Sequence, residues 1–351
     1  MRILLVRLRE IGDVVFTTPA IRAVRRIFPE ARISYLVEPH AEPIVRHNPH
    51  IDEVIVAARG RGVRGALDDV ALGLRLRRAR YDIAIDFHGG PRAALLTWLS
   101  GAGRRIGYAI AGRQWMYTDR VARPRELRPR HSVRNQWDLL APLNAPGPDP
   151  AVDGVEMAVS EDARVEVERR LTEAGVLPGE PIVILHVSAG NPFRRWPLDH
   201  FALVASSLAA QPGRRIVITS GPADRGAAER VVATARAALG AEGADRVLRC
   251  GDFSLLELRA LLDRASVFIG GDSGPLHVAA TTGVTVIGLY GPTLPARSAP
   301  WRATSFRSIA IDAGELPCRP CDQRVCTPGD FRCLTSIAPE RVVDAALECL
   351  Q

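Results

Sequence analysis

No lysine occurs anywhere in this 351-residue chain, so all 46 of its basic side chains are arginine. Schiff-base chemistry and a lysine base are thereby excluded, and any anion must be held by planar, permanently charged guanidinium groups. Long apolar runs are missing as well. None approaches the ~18 residues that a bilayer-spanning helix needs. The run Ile3 to Val6 is too short for the core of a secretion signal and is followed at once by charged residues. The chain is therefore expected to be soluble and cytoplasmic, with its six cysteines as reduced thiols or metal ligands and not as a disulfide framework. Internal repeats and low-complexity tracts are also absent.

What is present is enough apolar side chain (47% of the residues) for two medium cores, and two domains are expected. A net charge of +7 suggests an anionic partner, whether phosphorylated substrate, membrane surface or nucleic acid. Short apolar runs alternate with helical patterns. Ile3 to Val6, Ile33 to Val37, Glu53 to Val56 and Tyr81 to Asp86 read as strands, and Val14 to Ile27 as a helix stopped by Pro29. After an exposed linker at 145–154, the pattern resumes with strands at Ile182 to His186, Arg215 to Thr219, Arg246 to Cys250, Val267 to Ile269 and Val284 to Leu289. Such alternation implies parallel sheets with right-handed crossovers, and functional turns at the carboxyl ends of the strands.

The most informative of those turns is Phe268-Ile-Gly-Gly-Asp-Ser-Gly-Pro-Leu-His277. An apolar strand breaks at two glycines, and Pro275 falls where a first helical turn would start, with Asp272 or Ser273 as its cap. The amides of Leu276 and His277 are expected to face outward at the positive end of the helix, an arrangement suited to a diphosphate. Strand, glycine turn and helix are also ordinary punctuation in an α/β protein.

Other turns carry chemistry with a bland alternative beside each. Asp13, at the end of the first strand, is placed either as a general base or as a helix cap. In His186 to Pro197, Ser188 could donate to a phosphate and Arg194 or Arg195 could clamp it, against the alternative of a solvated loop anchored by Trp196. Asp224 either meets a ribose hydroxyl or caps a helix. Two arginine-rich stretches, with Arg59, Arg61 and Arg64 in one and Arg123 and Arg130 in the other, lack the aromatic interleaving of a single-strand binder. They read as solvated surface or as a face for an anionic acceptor or bilayer. Cys318, Cys321, Cys326 and Cys333 fall within sixteen residues, either enclosing a structural zinc or forming a loop of free thiols.

Taken together, Met1-Arg-Ile-Leu-Leu-Val-Arg through Ile-Gly-Asp13-Val-Val-Phe-Thr-Thr-Pro-Ala20, Tyr81-Asp-Ile-Ala-Ile-Asp86-Phe-His-Gly, Arg194-Arg-Trp-Pro, Gly270-Gly-Asp-Ser-Gly-Pro-Leu-His277 and Leu289-Tyr-Gly-Pro-Thr293 resemble glycosyltransferase family 9, the ADP-heptose:lipopolysaccharide heptosyltransferases. The resemblance covers nearly the whole chain. It implies α/β architecture of the GT-B type: two Rossmann-like, doubly wound parallel-sheet domains facing a central cleft. Residues 1–155 would bind the acceptor and 156–335, including the cysteine-rich segment 318–333, the donor; a C-terminal helix in 336–351 is expected to pack back toward the N-terminal domain. Asp13 matches the family's proposed base. Asp272, Ser273, Gly274 and His277 match its donor-binding turn, Ser188 a phosphate-contacting hydroxyl, and Arg194 a position where the best-known members carry lysine. Phe253 falls in a region near the adenine, Arg195 beside Arg194, and Asp224 near the family's ribose carboxylate.

The implied activity is an inverting, metal-independent transfer of a heptose from ADP-heptose, or of another sugar from its nucleotide diphosphate, to an anionic lipid-anchored glycan core. No cofactor is required for that catalysis, nucleic acid is not expected as a partner, and peripheral contact with the cytoplasmic face of the inner membrane is. Rival readings are a family member with another donor or acceptor, a sugar-nucleotide epimerase, and a non-catalytic nucleotide-sugar or nucleic-acid binding protein.

Overall fold

The computed structural model describes residues 1–58, 60, 62–123 and 130–350. They form two compact units, Met1–Ala158 with Trp301–Ala303, and Val159–Pro300 with Thr304–Gln351.

The first unit holds six parallel strands: β1 (Arg2–Val6), β2 (Arg32–Val37), β3 (Glu53–Val56), β4 (Ile83–Asp86), β5 (Arg104–Tyr108) and β6 (Asp119–Val121). Their order is β3-β2-β1-β4-β5-β6. Covered on both faces, β1 must be apolar throughout, and Ile3, Leu4, Leu5 and Val6 are all fully buried. The chain winds outward from β1 through β2 and β3, then restarts at β4 on the other side. That reversal opens a crevice at the carboxyl ends of β1 and β4, where sheets of this kind bind ligands.

Two expectations change here. The helix expected over 14–27 is two, Ile11–Val15 and Thr18–Ile27. Pro19 lies in the first turn of the second, and a proline disfavours helical backbone before it. Residues 145–154 are irregular, yet Asp153 is buried, accepting from Arg26 at 2.6 Å, and its carbonyl accepts from Trp301 Nε1 at 2.8 Å. Trp301 also meets the His131 ring at 4.7 Å and the Arg134 guanidinium at 5.3 Å. A segment remote in sequence thus completes this unit.

The second unit repeats the plan with β7 (Ile182–His186), β8 (Arg215–Thr219), β9 (Val247–Leu248), β10 (Val267–Gly271), β11 (Thr285–Tyr290) and β12 (Ser308–Asp312) in the order β12-β11-β10-β7-β8-β9. Its reversal falls between β7 and β10. The core beneath is built from Val183, Leu185, Ile216 and Ile218 of the sheet, with Trp196 and the helix Leu198–Ala210. The tail helix Pro339–Leu350 buries Val342 and Ala346 in that same core. Its apolar face is therefore taken up within its own unit. The strands β5, β6 and β12 carry few consecutive apolar residues and were not legible as strands.

Candidate functional site

At the carboxyl end of β1, Asp13 sits within the short helix Ile11–Val15, not at its cap, which is Glu10. Its carboxylate is ion-paired with Arg7, whose Nη1 also donates to Phe87 O at 2.7 Å, just beyond β4. The reversal point thus presents a half-exposed carboxylate oriented by a largely covered guanidinium. Asp86, at the end of β4, is fully buried and accepts from the His88 and Gly89 amides at 2.8 and 2.9 Å and from Tyr117 OH at 2.6 Å. Burial raises its carboxyl even so. Burial, helped by the charges of Arg7 and Arg9, lowers the His88 imidazole to about 4, so it is neutral at pH 7. Neither Arg7 nor His88 was singled out from the sequence; their signal was adjacency to the strand ends on either side of the reversal.

In the second unit Arg194 meets Asp272 at the end of β10, beside Ser273, and Ser188 follows the end of the neighbouring β7. Arg194 Nη1 donates to Asp272 O at 3.1 Å and stands 3.4 Å from Oδ2. Thr293 Oγ1 donates to the same Oδ2 at 2.6 Å, and His277 Nε2 lies 3.4 Å from Oδ1. Burial would raise the Asp272 carboxyl, but His277, Arg194 and Thr293 outweigh it and hold it down to about 2. The contact is close enough that a Cβ on Gly271 would stand 2.9 Å from Arg194 O.

The Ser273 side chain makes no cap bond, and its Oγ is buried without a hydrogen-bond partner among the described residues. Leu276 and His277 amides turn inward to Ser273 O, at 3.1 and 3.4 Å, so the expected outward-facing amides are not there. The turn's capacity for an anion lies in side chains: the unpartnered Ser273 hydroxyl, Ser188, whose Oγ accepts from the Gly221 amide at 2.9 Å and keeps its own proton to donate, and Arg194. Gly274 opens the helix Gly274–Ala279.

Other candidates are engaged elsewhere. Arg195 pairs with Asp224 at 3.1 Å and donates to Ala189 O at 2.9 Å, so the proposed second clamp and ribose carboxylate hold one another. Phe253 lies under the Arg170 guanidinium at 5.4 Å. Arg59 and Arg61 lie outside the described residues. Arg64 is exposed on the helix Gly62–Arg78, Arg123 is 5.8 Å from the Tyr108 ring, and Arg130 binds Asp138 at 2.8 Å.

Cys318, Cys321, Cys326 and Cys333 line a cavity of about 30 Å³ together with Phe193 and Phe331. Among the described residues, however, no group of three or more histidine, cysteine or acidic side chains is arranged to hold a metal ion. The four thiols line one small cavity beside apolar walls, and burial, with the neighbouring Cys321, Cys318 and Cys326, pushes the Cys333 thiol up. The zinc expectation is not supported.

The profile of Glycosyltransferase family 9 (heptosyltransferase) matches residues 70–330. Lipopolysaccharide heptosyltransferase 3 of Escherichia coli is 29% identical over 318 residues, 89% of each chain. A glycosyl transferase family 9 structure from Veillonella parvula superposes with a TM-score of 0.87 at 25% identity, covering 99% of this chain and 97% of that one. The E. coli ADP-heptose lps heptosyltransferase II gives 0.79 at 22% identity, covering 100% and 98%. The paired six-stranded parallel sheets are thus of the GT-B type.

Proposed function

The chain belongs to glycosyltransferase family 9, and on that premise we propose that this glycosyltransferase moves a heptose from ADP-heptose to a lipopolysaccharide core, with inversion and without a metal ion. In this reading the second unit holds the donor and the first the acceptor. The observation that carries it is the cluster of Arg194, Asp272 and Ser273, where an unpartnered buried hydroxyl and a guanidinium lie at a sheet reversal.

Chemically, an acceptor hydroxyl oxygen attacks the anomeric carbon while the bond to the diphosphate breaks. Asp13 takes the hydroxyl proton, and Arg194 and the Ser188 and Ser273 hydroxyls meet the charge left on the departing diphosphate. Asp272, bound to Arg194, Thr293 and His277, keeps that guanidinium in place. With Arg195 and Asp224 paired to one another, their part is to shape the nucleoside end of the site, alongside Phe253.

For the anionic, lipid-borne acceptor, support comes from the helix Gly62–Arg78. Its inner face buries Gly65 and Leu76, whereas Val63, Leu67, Val70 and Leu74 form an outward stripe, 79% to 50% exposed, flanked by exposed Arg64, Arg75, Arg77 and Arg78. Apolar stripe and guanidinium flanks suit peripheral contact with an anionic bilayer. Arg123 and Arg130 would serve the acceptor from the first unit as well.

The deciding experiment incubates the enzyme with a panel of nucleotide sugars and truncated lipid cores and weighs the products by mass spectrometry, with and without chelator. A heptose added from ADP-heptose in the presence of EDTA is expected. Donor consumed without acceptor, or turnover only with another sugar, would replace this reading.

A further inference from the structure

The cysteine-rich segment has no part in the chemistry above, yet one of its side chains, Gln323, is bonded directly to Arg194. We infer that Gln323 is a positioning residue for the donor's diphosphate, holding the Arg194 guanidinium in its working orientation. The inference rests on the reading that Arg194 meets that diphosphate.

Gln323 Oε1 accepts from Arg194 Nε at 2.7 Å and from Asn191 Nδ2 at 3.0 Å. Arg194 Nη1 is meanwhile bound to Asp272 O at 3.1 Å. A planar guanidinium tied at Nε and at Nη1 has its plane and its direction defined. Nη2 is then left without a protein partner among the described residues, available to an anion. Without Gln323 the group keeps its charge but loses the bond that stops it swinging about its stem. Such a bond to a charged group, made once on one side, is worth more than a typical neutral one.

The segment around Gln323 is built to hold it there. Its backbone lies at φ +59°, a left-handed conformation uncommon outside glycine that persists where surrounding contacts impose it. Those contacts are present. The Arg319 side chain is 4% exposed, pairs with Asp312 at 2.8 Å and donates to Thr293 O at 2.8 Å and Gly314 O at 2.9 Å. The Cys321 amide reaches Pro292 O at 3.4 Å, and the Phe193 and Phe331 rings meet at 5.4 Å. Residues 291–293 and 191–195, the turns that carry Thr293 and Arg194, are thereby stitched to one loop. The thiols around the small cavity fill the middle of that brace. Gln323 is where the brace meets the site.

The test measures ADP binding by calorimetry, with donor and acceptor kinetics, for the whole enzyme and for Arg194→Ala, Gln323→Ala, Gln323→Glu and the double Arg194→Ala/Gln323→Ala. Gln323→Ala is expected to weaken ADP and raise the donor KM by about tenfold, the loss of one hydrogen bond to a charged group. The acceptor KM should stay as in wild type. Gln323→Glu, which keeps an oxygen acceptor at the same place, should recover most of the loss. Adding Gln323→Ala to Arg194→Ala should cost nothing further, because the two act as one unit. Should Gln323→Ala fail to fold, Gln323→Asn, one methylene short of Arg194, takes its place.

Wild-type affinity in Gln323→Ala, with Arg194→Ala impaired, overturns this inference alone. So does a double variant in which the two losses simply add. Wild-type affinity in Arg194→Ala, or no binding of ADP, GDP, UDP or CDP by the unaltered enzyme, overturns the donor reading, and this one with it.

Discussion

At the scale of single residues, Asp13 and Arg194 carry the separable halves of the proposed reaction. Asp13→Asn keeps the shape and removes the base. It is expected to lower kcat by about 10²- to 10⁴-fold with the donor KM nearly unchanged, read from steady-state kinetics. Arg194→Ala should instead raise the donor KM, by about tenfold or more. A buried histidine sets a pH signature. Burial, with the nearby charge of Arg249, lowers the His186 imidazole to about 4, against about 6.5 in an unfolded chain. Between those values the unfolded chain binds more protons, so stability is full above about pH 6.5 and falls as pH drops toward 4, by up to ~1.4 kcal/mol per unit. Asp272, held at about 2, gives its loss later, as pH falls from its ordinary range near 4 toward 2. Urea midpoints recorded from pH 7.5 to 4.5 should decline, and His186→Gln, which can still reach Thr219, should flatten part of that decline.

At the scale of elements, the site depends on how closely turns approach one another. Gly271 ends β10 with ordinary backbone angles, so its lack of a side chain serves contact and not conformation. Gly271→Ala would press its Cβ on Arg194 O. We expect a cost of about 1–3 kcal/mol by overpacking and a donor KM raised in parallel, seen by melting and kinetics. Elements also explain which expectations changed. Proline chemistry was visible at residue 19, but the break it causes depended on Thr17, whose hydroxyl bonds Val14 O and Tyr35 OH. The tail helix read correctly as a helix, and only its buried Val342 and Ala346 reveal what it packs on.

At the scale of the whole molecule, two sheets with the same winding order were built from one chain, each restarting from its middle. The first is completed by Trp301–Ala303, borrowed from the far end of the sequence. Trp301 is buried and bonded to Asp153 O. Trp301→Ala is therefore expected to destabilise the first unit by about 3–5 kcal/mol, although nearly the whole of that unit precedes residue 159. Hydrogen exchange resolved by peptide would show the loss in residues 1–158 and leave β7 and β10 protected.

Several features were determined by the sequence alone, because they depend on local chemistry. Apolar runs too short for helices mark the central strands, glycine and proline punctuate their ends, and the motif around Asp272 identifies the family. Without lysine, anion binding had to fall to arginine. What only the tertiary structure decided were matters of distance between remote residues. It chose Arg7 as the partner of Asp13, turned the Leu276 and His277 amides inward, paired Arg195 with Asp224, and gathered the four thiols around one small cavity. It also set Gln323 against Arg194, 129 positions away. No periodicity encodes such contacts, since each depends on which turns the sheet order brings side by side.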